Sequence, residues 1–346
     1  MNKARMLELW REWKSKIVFT ISHIVGRLRS PHQTISVWPD KSVDLAERVA
    51  LFMHFDGFGA VRPQIFIYLK QLAENGRSVV FVTNSEKLLP NAEAKLREIC
   101  SCIIIRRNIG YDFGAWRDAI DQLALPRANT RELIICNDSV FGPIRRLDDT
   151  LDRLDYEEAD VWGMTESWQR RYHLQSYFIA FGPAALASTA FGKFWRNVLP
   201  APAKSFIIHK YEIGLTQAML LGGLRCSALW SYEMLLKQVN QDELNQFLAL
   251  ETKDAGKTDP VILVRRLHIL RIRDAIARRM ALNPTSDLWR QLLLSGYPFI
   301  KRELLRDNPT RVEDVGDWAD MLKTTLEADP DPIRAELRLM LKGGAP

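Results

Sequence analysis

Between residues 48 and 143, short apolar runs alternate with longer stretches whose apolar positions recur every three or four residues. Val49-Ala50-Leu51-Phe52-Met53 stops at His54-Phe55-Asp56-Gly57, and Ser78-Val79-Val80-Phe81-Val82 stops at Thr83-Asn84-Ser85. Ile103-Ile104-Ile105 stops at Arg106-Arg107-Asn108, and Leu133-Ile134-Ile135-Cys136 stops at Asn137-Asp138-Ser139. Unbroken apolar runs of this length suit strands buried on both faces. Between them the pattern predicts helices over 63–75, closed by Gly76, over 90–100, and from Ala115 onward. Such alternation implies right-handed crossovers and a mostly parallel sheet. After Pro143 the rhythm loosens. Strands are expected at 160–165 and 174–181, helices at 184–197 and 211–221, and a mostly helical, charged chain from about Met234.

Residues 1 to about 30 read as an amphipathic helix carrying Lys3, Arg5, Arg11, Lys14, Lys16, Arg27 and Arg29 beside Leu7, Leu9, Trp10, Trp13, Ile17, Val18 and Ile21. That composition suits a membrane interface, or equally a helix packed on its own domain or a partner. Ser30-Pro31 and Pro39-Asp40 mark a linker. The expected division is therefore a basic helix and linker at 1–40, a catalytic α/β domain at 41–235, and a helical extension at 236–346. Net charge is only +6, which fits an anionic ligand, a membrane surface or mere solubility. Cys100, Cys102, Cys136 and Cys226 lack zinc spacing and read as reduced, mostly buried thiols of a cytoplasmic protein. No spanning helix and no signal peptide are expected.

In open parallel sheets, ligands bind just outside the carboxyl ends of the strands. The sequence has no GxxxxGK[ST] loop, no GxGxxG after its first strand, no GxSxG elbow and no HExxH. It does place Asp56, Asn84, Asn108, Asp112, Asn137 and Asp138 at successive strand ends. Amides and carboxylates can bind a base and ribose, and carboxylates can hold a divalent cation on a diphosphate. Arg106, Arg107 and Arg117 could add charge for phosphates. Spacing alone leaves plainer roles open: Asp112 as a turn residue between Gly110 and Gly114, and Asn108 as a helix cap.

The order TNS, RNIGYDFGAW and NDS resembles inverting glycosyltransferases of GT-A fold. More closely, RNIGYDFGAWRDAI, LIICNDSVFGP, DVWGMTES, HLQSYFIAF, YEIGLT and NPTSDLWRQLLLSGYPFIKRELLRDNP resemble the rhamnan synthesis protein F family across roughly residues 48–310. The resemblance implies an α/β, GT-A-like and Rossmann-like sheet flanked by helices. It implies transfer of a deoxysugar, rhamnose first among them, from a nucleotide sugar such as dTDP-rhamnose to a lipid-linked or oligosaccharide acceptor. Thr83, Asn84, Arg107, Asn108, Gly110, Asp112, Asn137 and Asp138 would then bind the donor. Asp138 matches the metal position for Mg or Mn, although Asn-Asp-Ser stands where two carboxylates would be expected. Glu212, ahead of an amphipathic helix, is the implied general base, with Glu166 the second choice; an N-terminal acid favouring the helix dipole is the plainer reading of Glu212. His173, Gln175 and Tyr177 are read as acceptor contacts or, equally, as core. Trp116, Trp162, Trp195 and His209 are assigned to packing.

The expected protein is thus a cytoplasmic transferase, peripheral on the inner face of the membrane. A non-catalytic glycan- or nucleotide-binding scaffold is the alternative. The basic segment 265–279 belongs to no recognisable nucleic-acid module, so no nucleic-acid partner is expected.

Overall fold

Apolar runs without a polar face belong in the middle of a covered sheet. In a computed structural model, which describes residues 3–29, 32–239 and 260–341, they form its centre. The strands are β1 (Thr34–Trp38), β2 (Arg48–His54), β3 (Ser78–Thr83), β4 (Cys102–Arg106), β5 (Glu132–Asn137), β6 (Val140–Phe141), β7 (Val161–Ser167), β8 (His173–Leu174), β9 (Phe178–Phe181), β10 (Cys226–Trp230) and β11 (Ile300–Lys301). The main sheet runs β1-β4-β3-β2-β5-β9-β7-β10, with β8 paired to β7. β4, β3, β2 and β5 are parallel, β1 and β9 antiparallel to their neighbours, and β10 parallel to β7. β11 pairs with β6 in a separate ribbon.

Side chains alternate across a strand, and two cores result. Ala50, Phe52, Val79, Phe81, Ile134 and Cys136 fill one; Val49, Leu51, Val80, Val82, Leu133 and Ile135 fill the other. The first core also contains Leu288, Trp289, Tyr297, Phe299, Ile300 and Ile333, so the C-terminal extension is built into the same hydrophobic mass as the sheet.

Helices α2 (Pro63–Glu74) and α3 (Pro90–Ile99) begin at prolines, whose missing N–H is harmless in a first turn. α4 (Tyr111–Gln122) begins four residues before the expected Ala115, because Gly110 (φ 86°) turns the chain into it. The expected linker contains a strand, β1, on the edge of the sheet. The expected strand at 174–181 is broken by a turn into β8 and β9. The helix expected at 211–221 starts earlier, as a π turn (Ile208–Glu212) leading into Ile213–Leu221. The N-terminal helix α1 spans Lys3–Leu28. Of the helical stretch expected after Met234, residues 240–259 lie outside the described residues. Among the described residues no helix is long and apolar enough to cross a membrane.

Candidate active site

The chain leaves β5 at Asn137, and the amide of that residue ties three elements together. Its Nδ2 donates to Asp112 in the first turn of α4 (2.7 Å), while its Oδ1 accepts from the Ser139 amide (3.1 Å) and hydroxyl (2.6 Å). The two polar clusters that the sequence placed at strand ends therefore meet. Asp138 lies between them and the end of β2: its amide donates to the Met53 carbonyl, and its Oδ2 accepts from the Phe55 amide at 3.5 Å.

Glu212, the last residue of the π turn, accepts at Oε1 from the Ser176 amide (3.2 Å) and hydroxyl (3.0 Å). Burial pushes the Asp112 carboxyl up to about 6; the charge on Asp138 raises it, the Asn137 hydrogen bond and Lys301 lower it, and Glu212 raises it again. Three carboxylates thus share one electrostatic neighbourhood.

The cations in this neighbourhood come from the far end of the chain. β11 docks on β6 in antiparallel register, Lys301 opposite Val140, and the Arg302 amide donates to the Ser139 carbonyl (3.0 Å). Lys301 Nζ donates to Ser139 Oγ (2.9 Å) and stands 4.6 Å from the centre of the Tyr177 ring. Burial pulls the Lys301 ammonium below its ordinary range, and Glu212 and Asp112 counter that pull. Arg302 reaches Asp138 (3.4 Å) and the buried Glu336 (2.6 Å). A cleft of about 350 Å³ opens beside them, lined by His54, Phe55, Phe58, Arg62, Arg306 and Met340 among others. Sequence reasoning missed Lys301 and Arg302 as site residues; they lie in the quoted YPFIKRE block, but nothing in their spacing ties them to strand ends 160 residues away.

Several expected site residues are occupied elsewhere. Thr83 is fully buried, its hydroxyl against His54 Nδ1 (3.0 Å), and Asn84 Oδ1 takes a hydrogen bond from the buried Arg106. Arg106 and Arg117 both hold the buried Asp118, through Nη2 of Arg106 (2.8 Å) and Nε of Arg117 (3.1 Å). Arg107 and Asn108 are exposed beside β1, and Gly110 packs tightly enough that a Cβ would meet Pro200 Cα at 3.1 Å. Glu166 accepts from the Tyr232 amide (2.9 Å) at the start of the helix Tyr232–Val239, which is a capping role. Tyr177 and Gln175 join Thr165 in an internal network that continues to Asn283 and Thr285. His173 is buried, its Nδ1 against the Arg171 carbonyl (2.8 Å). These hydrogen bonds are internal, and the Tyr177 ring lies beneath Lys301.

For a divalent cation, the described residues bring together no group of three His, Cys, Asp or Glu side chains. Asp138 stands against the Arg302 guanidinium, and the charges of Asp112 and Glu212 act on the Lys301 ammonium without an ion pair to it among the described residues. Cationic side chains therefore share this neighbourhood with the carboxylates that could otherwise draw in a metal ion.

Fold and site together define an α/β protein with a polar cleft outside the carboxyl ends of its parallel strands. The profile of the family described as Rhamnan synthesis protein F matches residues 79–295, well over half of the chain. The uncharacterized protein y4gN of Sinorhizobium fredii is 35% identical over 184 residues, 52% of this chain and 48% of its own length. The virulence protein VirA of Vibrio anguillarum is 31% identical over 243 residues, 69% of this chain and 73% of its own. The chain thus spans about half the length of the first relative. It belongs to the rhamnan synthesis protein F family.

Solved structures overlap faintly. A protein described as a nucleotide-diphospho-sugar transferase from Desulfovibrio desulfuricans has 12% identity and a TM-score of 0.32, covering 68% of this chain and 98% of that one. The mannosyltransferase PcManGT from Pyrobaculum calidifontis, solved with GDP-Man and Mn2+, has 10% identity and a TM-score of 0.34, covering 94% and 91%. Overlaps at these scores add nothing to the family assignment.

Proposed function

We propose that this protein is a glycosyltransferase of polysaccharide synthesis, moving a deoxysugar such as rhamnose from a nucleotide sugar to a glycan acceptor. The observation that carries the reading is the hydrogen-bonded run from Asp112 through Asn137 and Ser139 to Lys301 at the strand ends, with the adjacent Asp138 lining a cleft that holds two half-exposed aromatics, Phe55 and Phe58. Family membership supports the polysaccharide context.

In this reading the nucleobase lies against Phe55 or Phe58, and the diphosphate extends past Asp138. The acceptor hydroxyl oxygen attacks the anomeric carbon as its proton passes to Glu212. The bond from that carbon to the phosphate oxygen breaks, its electron pair leaves with the nucleoside diphosphate, and the configuration inverts. The Ser176 hydroxyl and amide fix Glu212 through one oxygen, leaving Oε2 for the acceptor. The test is release of nucleoside diphosphate from nucleotide sugars by the wild-type chain and by Glu212→Gln. Release by neither would favour the non-catalytic scaffold.

The acceptor is proposed to be lipid-linked, with α1 lying on the inner face of the membrane. One side of this helix packs through Phe19 on Phe206 and His209, both at 5.3 Å. Another side exposes Trp13, Ile17, Ile21, Ile24 and Leu28, an apolar stripe with Arg27 alongside.

A further inference from the structure

We infer that Lys301 and Arg302, neighbours at the end of β11, form the cationic seat of the donor's diphosphate and take the place of a divalent metal ion. The inference rests on the nucleotide-sugar reading and deepens it. Backbone pairing of β11 with β6 sets Lys301 opposite Val140 and the Arg302 amide on the Ser139 carbonyl; the Lys301 side chain then meets Ser139 and that of Arg302 meets Asp138. The Lys301 ammonium reaches Ser139 Oγ and the Tyr177 ring, and Arg302 lines the cleft that Arg62 and Arg306 also line.

Their hydrogen bonding is incomplete in a way that asks for an anion. An ammonium has three N–H donors. At Lys301 one meets Ser139 Oγ and the Tyr177 ring face takes a share, with no ion pair formed among the described residues. Arg302 Nε is buried without a partner, although its two terminal nitrogens are engaged by Asp138 and Glu336. Buried donors are seldom left unpaired, and a phosphate oxygen would complete the Lys301 set beside the Arg302 guanidinium. Carboxylates stand close by, and they oppose an anion. Charge developing on the leaving phosphate oxygen would then fall on fixed cations that need no reorganisation.

The test is equilibrium binding of dTDP, UDP and GDP, each beside its monophosphate, to the full chain in EDTA and in manganese. The preferred diphosphate is expected to bind wild type in EDTA. Lys301→Met should weaken that binding about tenfold or more, leave the monophosphate unchanged, and be rescued by Lys301→Arg. Diphosphate binding that needs manganese, or an equal loss of mono- and diphosphate in Lys301→Met, would overturn the inference and leave the transferase reading standing. The EDTA arm uses wild type alone, so it holds even if a variant folds poorly. A wild type that binds no nucleotide in either buffer would overturn both.

Discussion

Asp112 sits in the first turn of α4, where the sequence allowed either a ligand contact or a turn residue. Its carboxyl titrates at about 6 in the fold against an ordinary 3.8, first through burial and then through Asp138. A carboxyl raised on folding binds more protons in the native than in the unfolded chain, so stability falls as pH rises through that window, from about 4 to about 6. Asp112→Asn removes the penalty. Its melting temperature should exceed that of wild type at pH 7.5 and match it near pH 4; equal curves at both would show that burial costs Asp112 nothing. The residue was legible because it stands at a strand end among glycines. Lys301 was not: its hydrogen bond to Ser139 spans 162 positions and exists only because β11 finds β6. Arg106 and Arg117 misled for the opposite reason. A sequence shows the charges, but not that the buried Asp118, next to Arg117 and twelve residues beyond Arg106, draws both inward.

At the scale of elements, the β6–β11 clip decides whether the site is complete. Gly142 follows β6 at φ +122°, a backbone region that favours glycine, and a Cβ there would come within 2.6 Å of the Pro298 carbonyl. That same carbonyl accepts from the Ile144 amide (2.8 Å), and the Gly142 amide donates to Gln64 Oε1 (2.8 Å). Gly142→Ala should destabilise the chain by about 1–3 kcal/mol in urea unfolding and weaken nucleotide binding through Lys301. Unchanged unfolding would mean that the clip tolerates a displaced β11. The four central strands were legible because their runs are apolar on both faces. β6, β8 and β11 have two residues each, too few for any period to register. The turn at Ser176-Tyr177 hid inside a run rich in strand formers, and it is what brings Ser176 to Glu212.

For the whole molecule, the C-terminal extension packs into the same core as the sheet. It shares one of the two cores with the sheet and carries Lys301 and Arg302, the cations of the proposed site, although the expected boundary at residue 235 assigns it to a separate unit. At the other end, α1 has one side committed to the fold and an apolar stripe committed to nothing described. Ile17→Glu with Ile21→Glu should reduce co-sedimentation with vesicles containing anionic lipid and leave nucleotide binding unchanged. Unaltered co-sedimentation would remove α1 from the membrane.

The central claim is sugar transfer from a nucleotide donor with Glu212 as base. Its most direct test is nucleoside diphosphate release from a panel of nucleotide sugars, dTDP-rhamnose first, with a glycan acceptor present. The account predicts release by the wild-type chain, and at least about a hundredfold slower release by Glu212→Gln that still binds the donor. No release from any donor at high enzyme concentration, or equal rates for the two chains, would contradict it.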